Sequence, residues 1–257
     1  MTGHDLVQFF KTHFPEDKAY DWDHVGLQIG HLNQKLTGIM IALDVTESTL
    51  QDTIDQGCNV LITHHPFLFH PLKKIHLDTP KGQLIETIIK HDILVYAAHT
   101  NYDVAGGGMN DVLADLLGLK DKEVLDVDDD GTGIGRVGLI EPTALDDFIQ
   151  TVKKTLQLSH VHLISHQDDK VIKKVAISGG AGSHHLFAAK KKGADIYLTG
   201  DITYHTALEA LELKQRVLDI GHFAESQFKT AFKDTLLKAG FDVKVSMAQE
   251  VSPFKLK

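Results

Sequence analysis

Cys58 is the only cysteine among 257 residues, which leaves no partner for a disulfide framework and no set of thiolates for a zinc finger. No apolar run approaches the length of a membrane span, although 42% of the residues are hydrophobic. The apolar residues are therefore expected to build the cores of a soluble chain long enough for two modest domains. No charged-then-apolar leader opens the sequence, so a cytoplasmic location is expected. Basic residues are outnumbered, 26 Lys and Arg against 35 Asp and Glu, for a net charge of −9. That balance argues against generic nucleic-acid binding, because neutralising phosphates needs a basic face. The lysines at 190–192 fit the solvated end of a helix, where cations complement the dipole. No low-complexity tract and no membrane-binding amphipath stands out.

Histidine, by contrast, is abundant, with 17 residues. His4, His13, His31, His76 and His91 read as surface residues. Others gather where apolar strands end. In Leu61-Ile-Thr-His-His-Pro-Phe67 a strand through Val60, Leu61 and Ile62 stops at Thr63, and Pro66 has no N–H with which to continue a central ladder. His64 and His65 thus fall where strand becomes loop. Successive strand residues point to opposite faces, so the two imidazoles serve one ion only if the backbone turns between them; otherwise each serves a different ion. A second apolar strand, from Ile93 to Tyr96, precedes Ala97-Ala-His-Thr-Asn-Tyr-Asp103. A third, in Val217-Leu-Asp-Ile-Gly-His222, precedes Phe223-Ala-Glu225, and the i, i+3 spacing puts His222 and Glu225 on one face of a first helical turn. His64, His65, Asp103, His222 and Glu225 supply three imidazoles and two carboxylates. That set can hold two divalent ions if a carboxylate bridges and water completes the shells. Mixed nitrogen and oxygen ligands suit zinc, iron, manganese, cobalt or nickel. His99 and His205 are the candidate proton-transfer groups, since an imidazole titrates near working pH.

The two halves also align with each other. Ile39-Met-Ile-Ala and Gly57-Cys-Asn-Val-Leu-Ile-Thr63 lie 136 positions before Val175-Ala-Ile-Ser and Gly193-Ala-Asp-Ile-Tyr-Leu-Thr199. Further on the offset falls to 122, pairing Val95 with Val217, Asp103 with Glu225 and Gly118 with Gly240. The extra chain in the first half is expected in the loop around Pro71 to Gly82. Two similar linked α/β domains are therefore expected, 1–125 and 133–257, facing each other with metal ligands from both at their junction. The acidic, glycine-bearing segment 126–132 is the expected link; its spacing departs from that of a calcium-binding loop.

Beyond the link, Arg136 to Ile140 reads as a strand, Thr143-Ala-Leu-Asp146 as a capping-box-like start to a helix through Leu156, and Val161 to Ser165 as a returning strand. Ile177-Ser-Gly-Gly-Ala-Gly182 runs from a strand into a glycine turn. Such a turn suits either a phosphate cradle of backbone N–H groups or a tight strand-to-helix connection. Asp201 and His205, in Gly200-Asp-Ile-Thr-Tyr-His205, are either supports of the metal ligands and proton-transfer groups, or a helix cap and a surface pair.

Taken together, Trp22-Asp-His-Val-Gly-Leu-Gln28, Leu43-Asp-Val-Thr46, Thr63-His-His-Pro66, Ala98-His-Thr-Asn-Tyr-Asp103, Ser178-Gly-Gly-Ala-Gly182, Thr199-Gly-Asp201 with His205, and Gly221-His222 with Glu225 resemble the Nif-three-like dinuclear-metal proteins, the GTP cyclohydrolase I type 2 family. The resemblance covers nearly the whole chain in its short form, and the family's metal ligands match His64, His65, Asp103, His222 and Glu225. It implies two α/β domains and a toroidal homohexamer with the metal sites facing an internal cavity. One departure is His24, where the family pattern has asparagine. The expected function is metal-dependent hydrolysis of a purine nucleotide, with GTP cyclohydrolase chemistry, yielding formate and dihydroneopterin triphosphate, as the named candidate. The alternatives are a metal-delivery or regulatory scaffold protein without turnover, and a hydrolase of another phosphorylated metabolite.

Overall fold

The computed structural model describes residues 1–129, 131–166 and 171–255. Its strands are β1 Gly26–Ile29, β2 Gly38–Ala42, β3 Val60–Thr63, β4 Leu94–Ala97, β5 Lys120–Val127, β6 Gly133–Ala144, β7 His162–Ile164, β8 Val171–Ile177, β9 Ile196–Thr199, β10 Val217–Asp219 and β11 Lys244–Met247. The α-helices are α1 Gly3–His13, α2 Glu47–Asp55, α3 Pro80–Lys90, α4 Thr100–Val104, α5 Met109–Leu116, α6 Leu145–Thr155, α7 Leu186–Lys191, α8 Tyr204–Glu212 and α9 Phe228–Lys238. No helix among the described residues is long and apolar enough to cross a membrane.

The chain forms two compact units, one of residues 1–102 with 228–257, the other of residues 103–227. The first holds a five-stranded sheet in the order β1-β4-β3-β2-β11, parallel except for β1. Strands β2, β3 and β4 are buried along their whole length, as an apolar run covered on both faces must be. Helices are started by their caps: the Thr46 hydroxyl accepts from Thr49 N at 3.2 Å to open α2, and Thr79 caps α3 ahead of Pro80. An aromatic cluster from α1 and α9 completes this core. Phe10 stacks on Tyr96 at 4.1 Å and on Phe232 at 5.6 Å between ring centroids.

The second unit holds a six-stranded sheet, β5-β6-β8-β9-β10-β7, in which β8, β9 and β10 are parallel and their neighbours antiparallel. The internal repeat is visible in the register. Ile39 pairs with Val60 and Val175 with Ile196; Leu61 pairs with Val95 and Tyr197 with Val217. Each strand trio is flanked by an antiparallel strand on the same side, β1 beside β4 and β7 beside β10. The extra chain of the first repeat lies before α3, where the connection runs over 64–79 against 200–203 in the second.

Domain boundaries at 125 and 133 are not those of the structure. Asp126 and Val127 continue β5 and pair with Ile134 and Gly133 of β6, so the acidic segment lies in a hairpin within the second unit; its Asp130 is outside the described residues. The last 30 or so residues return to the first unit, where Val245 and Met247 pair with Ile39 and Ile41. Asp103 belongs with the second unit. A smaller correction concerns α6: β6 runs into it directly, its N-cap is Ala144, and the Thr143 hydroxyl donates to Glu141 O at 2.7 Å instead of accepting from a first-turn N–H as in a capping box. The five histidines read as surface residues are exposed.

Candidate metal centre

In the first unit, β3 delivers two imidazoles and the end of β4 a third. Beyond β3 the main chain follows β2 for two more residues, His64 N donating to Ala42 O and His65 N to Leu43 O, before Pro66 ends the ladder. The Thr63 hydroxyl donates to His65 O at 2.8 Å and closes the turn. Strand alternation is thereby broken: the His64 and His65 ring centroids are 5.2 Å apart. A ring nitrogen of each, together with one of His99, lies within 4.8 Å of the others.

The hydrogen bonds select which nitrogens these are. His64 Nδ1 lies 2.7 Å from the Ala98 carbonyl, His65 Nδ1 2.8 Å from Asp44 Oδ1, and His99 Nδ1 3.0 Å from Asp23 Oδ2. A carbonyl or carboxylate oxygen only accepts, so Nδ1 carries the proton in all three rings and the lone pair of the neutral imidazole is on Nε2. His64 is fully buried, its ring 5.3 Å from that of Phe228 in α9. Asp23 also accepts from Thr100 N at 3.0 Å, Thr100 Oγ1 at 2.6 Å and His24 N at 2.9 Å. Burial alone would push its carboxyl up; the hydrogen bond from His99, the charge that ring carries when protonated, and the Thr100 donors outweigh that and bring it down to about 2. Asp23 is therefore an anion at any working pH.

In the second unit, Asp103 on α4 and Glu225 in the short helical turn His222–Gln227 bring carboxylate oxygens within 4.8 Å of each other. Both residues are buried. His222 Nε2 is 3.2 Å from Glu225 Oε2, as the i, i+3 spacing leads one to expect, and its Nδ1 is 2.7 Å from Asp201 Oδ2. A fourth imidazole thus has its Nδ1 held by an oxygen. Asp201 takes a left-handed backbone conformation, φ +55°, to reach it, one that aspartate tolerates better than most residues. Of its two readings, support of His222 fits this position.

The glycine turn fits a tight connection better than a phosphate cradle. Gly179 N donates to Asn110 Oδ1 at 3.0 Å and Gly182 N to Thr199 Oγ1 at 2.9 Å, so these two N–H groups are already engaged. A Cβ on Gly179 or Gly180 would come within 2.8 or 2.9 Å of Glu225 Oε1. The turn is a tight connection that makes room for the Glu225 carboxylate. A Gly180→Val protein, with a β-branched residue forced to φ +57°, is expected to lose metal and to weaken nucleotide and nucleoside binding alike. Parallel metal analysis and ligand titrations check this; a defect confined to triphosphates would restore the cradle.

His205 stands exposed on the first turn of α8, its ring 5.6 Å from that of Tyr204, outside the groups of convergent donors found among the described residues. Asp23 and Asp44 were not predicted from sequence. Each lies in a short motif near its own strand, but their partners His99 and His65 are 76 and 21 residues away, and no local spacing announces such a pair. Imidazoles whose Nδ1 is held by an oxygen, together with buried carboxylates, fit a divalent transition metal, whose histidine ligands characteristically donate their other N–H to an oxygen.

Comparison with known proteins adds the family. The model described as Duf34/NIF3 (NGG1p interacting factor 3) matches residues 1–253. A Lactococcus lactis protein described as a GTP cyclohydrolase 1 type 2 homolog is 37% identical over 253 residues, spanning 97% of each chain. A Streptococcus pneumoniae protein of the same description is 36% identical over 231 residues, 89% of this chain and 87% of its own. Among solved structures, a Bacillus cereus protein related to NIF3 superposes with a TM-score of 0.92 at 29% identity, covering 100% of this chain and 99% of that one.

Proposed function

The chain belongs to the Duf34/NIF3 family, and from that premise we propose that it is a metal-dependent hydrolase of a purine nucleotide, with GTP cyclohydrolase chemistry as the named candidate. The observation that carries the reading is the convergence of His64, His65 and His99, each with Nδ1 fixed by an oxygen and a ring nitrogen of each within 4.8 Å of the others. His64, His65, Asp103, His222 and Glu225 would hold two divalent ions per chain. When bound, such ions supply a water nucleophile near neutral pH and polarise the bond under attack.

The remaining work falls to the chain itself. Asp44 and Asp201 hold His65 and His222 in the tautomer that presents Nε2. His99 is the proton-handling imidazole of the reading: the anionic Asp23 fixes its Nδ1–H and stabilises the ring when Nε2 takes up a proton. Hydrolysis at C8 of guanine opens the imidazole ring and a second hydrolysis releases formate; the ribosylamine then rearranges to a ketose, whose carbonyl condenses with the freed amine and expels one water to give dihydroneopterin triphosphate. The homohexamer implied by the family is part of the proposal, and the mass of the intact assembly reports it.

The experiment is to incubate metal-replete protein with a panel of purine nucleotides and follow formate release and product mass, with His64→Ala as control. Formate from wild type and at least a hundredfold less from the control is expected, since removing a metal ligand removes the nucleophile. Clean transfer of bound metal to an apo-acceptor, without turnover of any nucleotide, would favour a delivery protein instead.

A further inference from the structure

The only tryptophan of the chain is 55% exposed, although a side chain of that size is usually mostly buried. Trp22 sits on a tight turn, closed by Asp23 N donating to Tyr20 O at 2.8 Å. The turn is pinned from below: Tyr20 N donates to Thr100 Oγ1 at 3.0 Å, and the Asp23 carboxylate holds His24 N, both Thr100 donors and His99. Phe69, 41% exposed on the loop after β3, faces it with ring centroids 6.0 Å apart. Gln28 joins the two loops, its Nε2 donating to His24 O at 2.7 Å and its Oε1 accepting from Leu68 N at 3.0 Å. Two exposed rings are thus carried on loops tied together by hydrogen bonds, tilted 58° to each other. The edge of Trp22 also meets His99, centroids 6.0 Å apart, so the aromatic surface runs directly into the imidazole trio.

We propose that Trp22 and Phe69 form the stacking platform for the purine base of the substrate, beside the His64, His65 and His99 cluster; this rests on the purine-nucleotide reading above. With Phe69 tilted 58° to Trp22, one face of a base can lie on the indole while the phenyl ring packs against its rim, and its polar edge needs hydrogen-bonding groups close by. The residues that follow Trp22 and precede Phe69 in the chain line a cleft of about 380 Å3, within the range of small-molecule sites; Asp23, Gln28 and Glu16 there already hold His99, Leu68 and Tyr96, so the His24 imidazole is the group offered to the base edge. The size of the cleft and the continuity of the rings with His99 favour a small planar ligand over a protein surface. His24 lies on this wall of the site, so its replacement of the family asparagine bears on base preference.

Because Trp22 is the sole tryptophan, its emission reads the platform directly. In titrations of the metal-replete protein, guanosine 5′-monophosphate should quench it saturably and ribose 5-phosphate should not. Equilibrium dialysis should show binding of the nucleotide weakened about 5- to 100-fold in Trp22→Ala and in Phe69→Ala, as the loss of one base–aromatic stack predicts. Trp22→Tyr should restore most of the affinity, and metal content should stay at the wild-type level in all three. If Trp22→Ala does not fold, Phe69→Ala and Trp22→Tyr carry the comparison. Wild-type binding that is unchanged in the folded variants overturns the platform and leaves the purine reading standing; a wild type that binds none of the purine nucleotides overturns both. A change in assembly mass in Trp22→Ala with unaltered nucleotide affinity would make the ring a contact between copies, and also overturns the platform.

Discussion

Protein stripped of divalent ions by a chelator is expected to lose turnover and to melt on the order of 10 °C lower, and both should return when metal is restored. The size follows from mass action: a ligand held only by the native state at about a thousand times its Kd adds about 4 kcal/mol, and for a chain of this length each kcal/mol moves Tm by about 2–4 °C. Elemental analysis of the replete protein should give about two ions per chain, as a two-metal site requires. His65→Ala and Glu225→Gln should each lower that number sharply; the second keeps the side chain's size and removes its charge. Two ions and a full thermal shift in both variants would remove the proposed ligand set, and with it the main physical support for a hydrolase.

Asp111→Ala is expected to destabilise the protein by about 3–5 kcal/mol, the penalty for leaving a buried cation unpaired. Arg136, 5% exposed on β6, donates from Nε to Asp111 Oδ1 at 2.8 Å and from Nη2 to Oδ2 at 3.1 Å, while Gly107 N also donates to Oδ2 at 2.8 Å. Its other Nη is spent on Gly135 O. Burial would raise the Asp111 carboxyl, but the bonds and charge of Arg136, the Gly107 N–H and Lys122 bring it below its ordinary value of 3.8. A carboxyl whose pKa is lower folded than unfolded contributes stability that is complete above the unfolded value and disappears as pH falls through the folded one. Wild-type protein should therefore lose stability below about pH 4 more steeply than Asp111→Asn, as urea unfolding across that range would show. Replacing both Asp111 and Arg136 by apolar residues should cost less than removing Asp111 alone, because no charge is then stranded. An Asp111→Ala protein as stable as wild type would mean that water reaches Arg136.

The strands and the residues at their ends were legible in the sequence because their signals are local. An apolar run of four, a proline that stops the ladder and an i, i+3 pair each act within one element, and the same grammar occurs twice. The alignment of the halves even anticipated sheet register, Ile39 against Val60 as Val175 against Ile196. The domain boundary was not legible. An acidic, glycine-bearing segment has the composition of a linker and equally that of a hairpin tip, and only the pairing of Asp126 with Ile134 distinguishes them. The task of the glycine turn was hidden for a similar reason: close approach explains a glycine only once the approaching group, here Glu225, is known.

By itself the sequence determined the two α/β repeats and singled out the residues proposed as ligands, since strand periodicity, chain-stopping residues and side-chain chemistry are properties of short segments. Tertiary structure alone decided that β11 closes the first sheet beside β2, that Asp103 belongs with the second unit, and that Arg136 is buried against Asp111. It also decided which nitrogen of each histidine is presented, through Ala98, Asp44, Asp23 and Asp201. The physical reason is the same in each case. A hydrogen bond or strand pairing between distant residues depends on where the folded backbone places them, and no spacing along the chain encodes that position.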